Sequence, residues 1–191
     1  MDRDRALKLL RDSNALLEGH FLLTSGNHSS RYIQCAQLLS HPDKALPFME
    51  DLSEMLQEYE FDTVAAPAVG GIIVSYEIGR LTKKRALFLE RENGRMCLRR
   101  NFRIRTGEKV AVVEDVVTTG GSVLEVVEAV EEGGGVVSVC GALVDRSSGS
   151  FNPPVPFFSC IKMAIPIYEP RKCPLCGEGI PFVKPGSRGM K

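Results

Sequence analysis

The sequence predicts an α/β fold, a mostly parallel twisted sheet flanked by helices, and three observations predict it. Short apolar runs at 63–66, 86–89, 109–113 and 136–144 alternate with stretches of helical periodicity, the pattern of successive right-handed crossover units. The chain has 191 residues, enough for one domain that buries about 70% of its unfolded surface. Hydrophobic residues make up 43% and charged residues 25%, which excludes the disordered, collagen-like and coiled-coil classes.

The elements follow in chain order. Residues 2–17 place Ala6, Leu7, Leu9, Leu10, Leu16 and Leu17 on one stripe with charges opposite, the mark of an amphipathic helix. From Gly19 to Gln34 the chain reads GHFLL, TSGNHSS, RYIQ, two short strands around a polar turn. A second amphipathic helix spans 43–60, with seven acids and one lysine by residue 62, so its outer face is solvated. Thr63–Ala66 is a buried strand, PAVGG at 67–71 a turn and 72–81 a helix. Strands at 86–89 and 109–113 precede a helix at 121–132, and strands at 136–144 and 157–163 complete the sheet. The Pro-, Gly- and Lys-rich tail from residue 166 has no periodicity and reads as an irregular surface wrap.

Charge and cysteine usage narrow the classes further. Twenty-four basic residues balance 24 acidic ones, so no overall field recruits nucleic acid or an anionic membrane. No run approaches the ~20 apolar residues of a membrane helix, and MDRDRALKLLRDSNALL lacks a signal-peptide core, which predicts a cytoplasmic protein. Cys35, Cys97, Cys140 and Cys160 stand singly, as reduced thiols do. Cys173-Pro-Leu-Cys176 has the spacing of half a zinc knuckle, but His20, His28 and His41 lie far back in the sequence. A closed site needs four ligands, so packed or exposed thiols are expected and no protein-held metal.

The stretch KVAVVEDVVTTGGSV, 109–123, carries the chemistry. An apolar strand runs into Glu114 and Asp115, at the sheet edge where α/β folds bind ligands. Thr118, Thr119, Gly120, Gly121 and Ser122 form a small-residue loop whose amides can converge on a phosphate, helped by the hydroxyls and the following helix dipole. Two acids beside a phosphate cradle repel the phosphate itself, so they serve something uncharged on the same ligand. Ribose hydroxyls fit. Neither a P-loop nor a dinucleotide fingerprint is present.

VVEDVVTTGGSV resembles the diphosphoribosyl-binding motif of type I phosphoribosyltransferases, which transfer ribose 5-phosphate from phosphoribosyl diphosphate (PRPP) to a base. GHFLLTSGNHSSRYIQ, PAVGGIIV, LERENGRMCLRR, VDRSSG and the tail YEPRKCPLCGEGIPFVKPGSR are similar, in that order, to the orotate phosphoribosyltransferases, the tail to one bacterial branch of them. The resemblance implies a hood at 1–42, a core at 43–165 and a tail at 166–191 in a single domain. It implies the substrates PRPP and orotate, Mg²⁺ held mainly through PRPP, and a homodimer with no nucleic-acid or membrane partner.

The resemblance also assigns residues. Glu114, Asp115, Val116, Val117 and Thr118–Ser122 would bind PRPP, with Asp115 catalytic, while Arg146 and Thr118 would hold orotate. Residues 80–109 hold eleven Lys or Arg against three acids, and the family places a mobile loop here, about Glu90–Arg105, that closes over the diphosphate of a neighbour's site. Arg91 falls at its loop arginine and Arg95 at its catalytic lysine. The planar fork of Arg95 keeps the charge but not the compact ammonium. PAVGG lacks the lysine many relatives carry there, and Thr24 stands where many have another. Tyr32 is a candidate for stacking on the ring or for plain core packing. A phosphoribosyltransferase for another base, a PRPP-sensing nucleic-acid regulator and a zinc-dependent interaction module are the rival classes.

Overall fold

The computed structural model describes residues 1–23 and 25–185. Thr24, singled out above, lies outside the described residues. The chain folds as α1 (Arg3–Asp12), β1 (Leu16–Leu22), β2 (His28–Ile33), α2 (Cys35–Leu39), α3 (Pro42–Leu56), β3 (Thr63–Pro67), α4 (Gly70–Thr82), β4 (Arg85–Glu92), β5 (Arg95–Leu98), β6 (Lys109–Val117), α5 (Gly121–Glu132), β7 (Val136–Asp145) and β8 (Phe157–Lys162). A short 3₁₀ turn, Pro170–Lys172, and a one-turn helix, α6 (Pro174–Gly177), interrupt the tail. Among the described residues no helix is long and apolar enough to cross a membrane.

The main sheet has the order β5-β4-β3-β6-β7-β8, with every neighbouring pair parallel except β4–β5. Alternation along the strands sorts its two faces. Val64, Ala66, Ala111 and Val113 face a cluster that takes in α1, α3 and α4, while Ala65, Val110 and Val112 face a second cluster under α5. That period of two in strands buried on both sides is why the sequence reads as unbroken apolar runs. Phe48, Met49, Leu52 and Leu56 of α3 are fully buried, each stabilising the fold by roughly 1.5–3 kcal/mol. Gly141 of β7 lets α3 come this close, since a Cβ there would stand 2.8 Å from Leu52 Cδ1.

Several boundaries differ from the sequence reading. The first helix ends at Asp12, because Leu16 and Leu17 belong to β1 and pair with Ile33 and Tyr32. One long stripe thus served two elements. The second helix, expected over 43–60, is α3, which begins with Pro42 at its first position, where the missing N–H costs nothing, and ends at Leu56; the short α2 ahead of it is an element the periodicity does not announce. The expected loop over 90–105 is in part a β-hairpin, since β4 runs to Glu92 and β5 returns along it. Strand β6 continues to Val117, so Glu114 and Asp115 lie within the last turn of pairing and not beyond it.

The sheet order fixes where a ligand belongs. From β3 the chain crosses through α4 to β4 on one side, and from β6 through α5 to β7 on the other. The crevice between the carboxyl ends of β3 and β6 is therefore the topological switch point, the place where open α/β sheets bind ligands.

Candidate active site

Glu114 and Asp115 close the inner end of that crevice. Glu114 is 9% exposed, and its Oε1 accepts the Asp115 N–H at 3.1 Å, while Asp115 Oδ1 accepts the Val116 N–H at 2.8 Å. Burial, together with the neighbouring Asp115 carboxylate, pushes Glu114 up to about 9, and burial raises Asp115 as well. Two acids this close and this dry cannot both ionise at neutral pH without donors or a cation beside them. The pair is thus built to be completed by a ligand's hydroxyls.

The loop after β6 lines a cavity of about 60 Å³ together with Glu114, Val116 and Val117, a space on the scale of one phosphate. Gly120 caps α5 at φ +79°, and a Cβ there would collide with the Phe151 ring. No other residue type satisfies both conditions. Among the described residues no backbone carbonyl takes the N–H of Thr118, Thr119 or Gly120, and Gly121 N–H makes only a 3.5 Å contact with Thr119 Oγ1. These amides stand free at the positive end of a 12-residue helix, an arrangement that binds anions.

PAVGG meets the acids directly. A Cβ at Gly70 would collide with the Asp115 carboxylate, and one at Gly71 would stand 3.3 Å from Glu114 Oε1. Both glycines allow the start of α4 to approach β6, so a second helix N-terminus points at the crevice. In front of it lies a cavity of about 470 Å³ whose walls include Tyr32, Gln34 and Cys35 from the hood side and Val69, Gly70 and Asp115 from the core. That volume suits a nucleotide-sized ligand.

Arg146 follows β7, and its N–H bonds to Val117 O at 2.8 Å. Burial holds its guanidinium below the usual arginine range, with Tyr32 and Cys35 as the nearest titrating neighbours. Asp145 does not pair with it. The Asp145 carboxylate accepts the Ser147 N–H at 2.8 Å, and the buried Arg146 Nε has no partner among the described residues. A partly buried cation with an unmet donor, close to the cavity-wall residues Tyr32 and Cys35, calls for a ligand carboxylate or another planar anion.

Comparison with known proteins agrees with this geometry. The family model described as "Phosphoribosyl transferase domain" matches residues 35–169. Orotate phosphoribosyltransferase of Thermotoga maritima is 53% identical over 184 residues, 96% of this chain and 98% of its own. That of Heliobacterium modesticaldum is 52% identical over 190 residues, 98% of this chain and all of its own. The chain belongs to the orotate phosphoribosyltransferase family. Among solved structures, orotate phosphoribosyltransferase from Aeropyrum pernix superposes with a TM-score of 0.70 at 26% identity, covering 82% of this chain and 92% of that one. The Mycobacterium tuberculosis H37Rv enzyme in complex with inorganic phosphate gives a TM-score of 0.69 at 23% identity, covering 85% and 98%, and so bears on the fold alone.

Within this phosphoribosyltransferase one chain brings Glu114, Asp115, Val116, Val117, the 118–122 loop and Arg146 to a common crevice. It does not bring Arg91 or Arg95 there. Arg91 pairs with Glu125 at 2.9 Å and Arg95 with Glu132 at 2.5 Å, both on α5. Glu132 is the last residue of α5, about 16 Å along the axis from the start of that helix at the phosphate loop. Arg99 and Arg100 pair with Glu92 and Glu90 of their own hairpin. The sequence reading missed one assembly. Cys173 and Cys176 are not isolated thiols, because the structure places His20 and His28 against them. Pairing between the tail and β1–β2 does this, and no local signal in the chain announces it.

Proposed function

We propose that this chain catalyses transfer of the phosphoribosyl group from PRPP to orotate, giving orotidine 5′-monophosphate and diphosphate, a step of pyrimidine nucleotide synthesis. The observation that carries the choice of base is Arg146, a partly buried guanidinium with an unmet donor whose charged neighbourhood includes Tyr32 and Cys35, two residues of the cavity wall. Orotate bears a ring carboxylate, and purines do not. The names of the relatives at about half identity point the same way.

In this reading the free amides and hydroxyls of Thr118–Ser122 take the 5-phosphate. Glu114 and Asp115 accept hydrogen bonds from the two ribose hydroxyls. Positive charge builds on the sugar ring as the C1–oxygen bond to diphosphate breaks, and the adjacent carboxylates stabilise it while Arg146, with the Thr118 hydroxyl, holds orotate for attack from the opposite face. The departing diphosphate meets the amides at the start of α4. No side chain acts as a nucleophile. Mg²⁺ fits this site, whose protein donors are hard carboxylate oxygens, and when bound it neutralises the leaving diphosphate. Glu114 and Asp115 are the residues near enough to support it through the ribose. The whole chain, 1–191, serves as one catalytic domain.

Arg91 and Arg95 act in a second copy of the chain. Two observations support a homodimer. Both arginines are tied to glutamates of α5 and not to their own acid pair, Arg95 at the distant end of that helix, and Val69, Ile73 and Tyr76 are 80%, 49% and 69% exposed in a row along α4. That row borders a cavity of about 370 Å³ between α3 and α4, an apolar surface of the kind that pairs copies of a chain. Co-expression of Arg95→Ala with Asp115→Asn tests this. Heterodimers then contain one intact site, and activity should recover to about a quarter of wild type, whereas cis-acting arginines would give no recovery. None of the six cysteines is in a disulfide, in keeping with a reducing, cytoplasmic setting.

The direct test mixes protein, Mg²⁺ and PRPP with orotate and follows loss of orotate absorbance. Adenine, hypoxanthine and uracil serve as controls. Turnover of orotate alone is expected, and turnover of a purine in its place would overturn the assignment.

A further inference from the structure

We propose that His20, His28, Cys173 and Cys176 form a tetrahedral zinc site that staples the C-terminal tail to the β1–β2 hairpin. The four ligand atoms all lie within 4.8 Å of one another. His20 Nε2 is 2.8 Å from His28 Nδ1, Cys173 Sγ is 3.4 Å from His20 Nε2, and Cys176 Sγ is 3.8 Å from His20 Nε2 and 3.2 Å from His28 Nδ1. Zinc with bonds of about 2.3 Å to sulfur and about 2.0–2.1 Å to nitrogen separates tetrahedral ligand atoms by about 3.3 Å for two nitrogens and about 3.6 Å for nitrogen and sulfur. The cluster is therefore at zinc-binding separations, slightly contracted at its two nitrogens.

Protonation supports the same assignment. His20 Nδ1 lies 2.7 Å from the Ile180 carbonyl, which can only accept, so Nδ1 carries the proton and the Nε2 lone pair faces the thiols. Ligating histidines are held in this way, by a donated bond from the other ring nitrogen. A hydrogen bond between the two imidazoles alone would explain one contact and leave both sulfurs, which are weak donors, crowded on nitrogens already engaged. Two thiolates and one Zn²⁺ sum to zero charge, as a buried site requires. His20, His28 and Cys173 are 3%, 4% and 5% exposed. An N₂S₂ set with tetrahedral spacing selects zinc over hard cations, and four protein ligands leave no open position, so the site is structural.

The tail needs such a fastening. Ile167, Ile180, Phe182 and Val183 are 40–60% exposed, so apolar burial holds it weakly. Its backbone nevertheless pairs with the hairpin, Leu22 N–H to Val183 O at 2.9 Å, Val183 N–H to His20 O at 2.9 Å, and His28 with Tyr168 in both directions at 2.8 Å. A two-stranded ribbon is marginal by itself. One metal linking both partners fixes ribbon and tail together.

Zinc content of the wild-type protein, purified without chelator, is expected at about one equivalent per chain. Replacement by Co²⁺ should give the visible absorption of tetrahedral cobalt with a sulfur-to-cobalt charge-transfer band. Cys173→Ser/Cys176→Ser should lose the metal and the band, and Cys97→Ser should keep both. Removing zinc should speed tryptic cleavage after Arg171 and Lys172 by about tenfold or more, as local opening of the tail becomes easy. Wild-type protein grown in zinc that carries none and gives no tetrahedral cobalt spectrum would overturn the proposal, as would a Cys173–Cys176 disulfide. The wild-type measurements decide the matter even if the double variant does not fold, and unchanged cleavage on zinc removal would refute the stapling role.

Discussion

Asp115→Asn is expected to lower kcat by about 10²–10³-fold while leaving the fold intact. Asn has the shape of the acid it replaces, and shape matters here because the Asp115 carboxylate fills the space that a Cβ on Gly70 would take. What it lacks is the charge that holds a ribose hydroxyl and stabilises the cationic sugar. Asp115 is one of two buried acids raised by desolvation, so removing one carboxylate relieves repulsion in the free protein. The thermal midpoint should therefore hold or rise. Steady-state rates against orotate and PRPP, with thermal unfolding alongside, check both halves. Wild-type turnover in the variant would remove Asp115 from the reaction.

Arg146→Gln is expected to raise KM for orotate by about 10²-fold or more, with KM for PRPP changed little. The guanidinium supplies a forked pair of donors from a partly desolvated position, and its buried Nε has no partner in the described protein. Gln can reach the same space but brings one neutral donor group. Arg146→Lys should recover only part of the loss, because an ammonium meets a planar carboxylate at a point. If kcat/KM for orotate stays within about threefold of wild type in Arg146→Gln, the residue does not bind the base carboxylate.

Most of the candidate crevice was legible in the sequence because it is local. Strand, acid pair, small-residue loop and helix follow one another from 109 to 132, and each states its chemistry by residue type. The helix at 121–132 has the predicted limits. The elements that went astray depend on distant partners. Leu16 and Leu17 continue a helical stripe, yet pairing with Tyr32 and Ile33 turns them into strand. The basic segment after residue 89 offers only three apolar residues, Met96-Cys97-Leu98, for β5, which exists because the edge of β4 accepts it. The cluster of His20 with Cys176 spans more than 150 residues, and no periodicity encodes such a meeting. Arg91 and Arg95 illustrate another limit, since their partners in one chain are glutamates of α5 and the use proposed for them needs a second copy.

The hairpin β1–β2, whose Tyr32 and Ile33 help line the cavity before α4, spans residues 16–33, yet its bridging partners outside itself, among the described residues, are Tyr168 and Val183. On the ribosome those partners emerge well after the hairpin itself and after the whole of the central sheet, since chains are extended from the N-terminus at about 5–20 residues per second. A hairpin made early is thus secured late, after the sheet it lies beside. A chain cut short before residue 168 would retain the acid pair and the phosphate loop but lose the backbone bridges that tie the hairpin to the tail, so the hairpin takes its final place only after the sheet beneath it has been made.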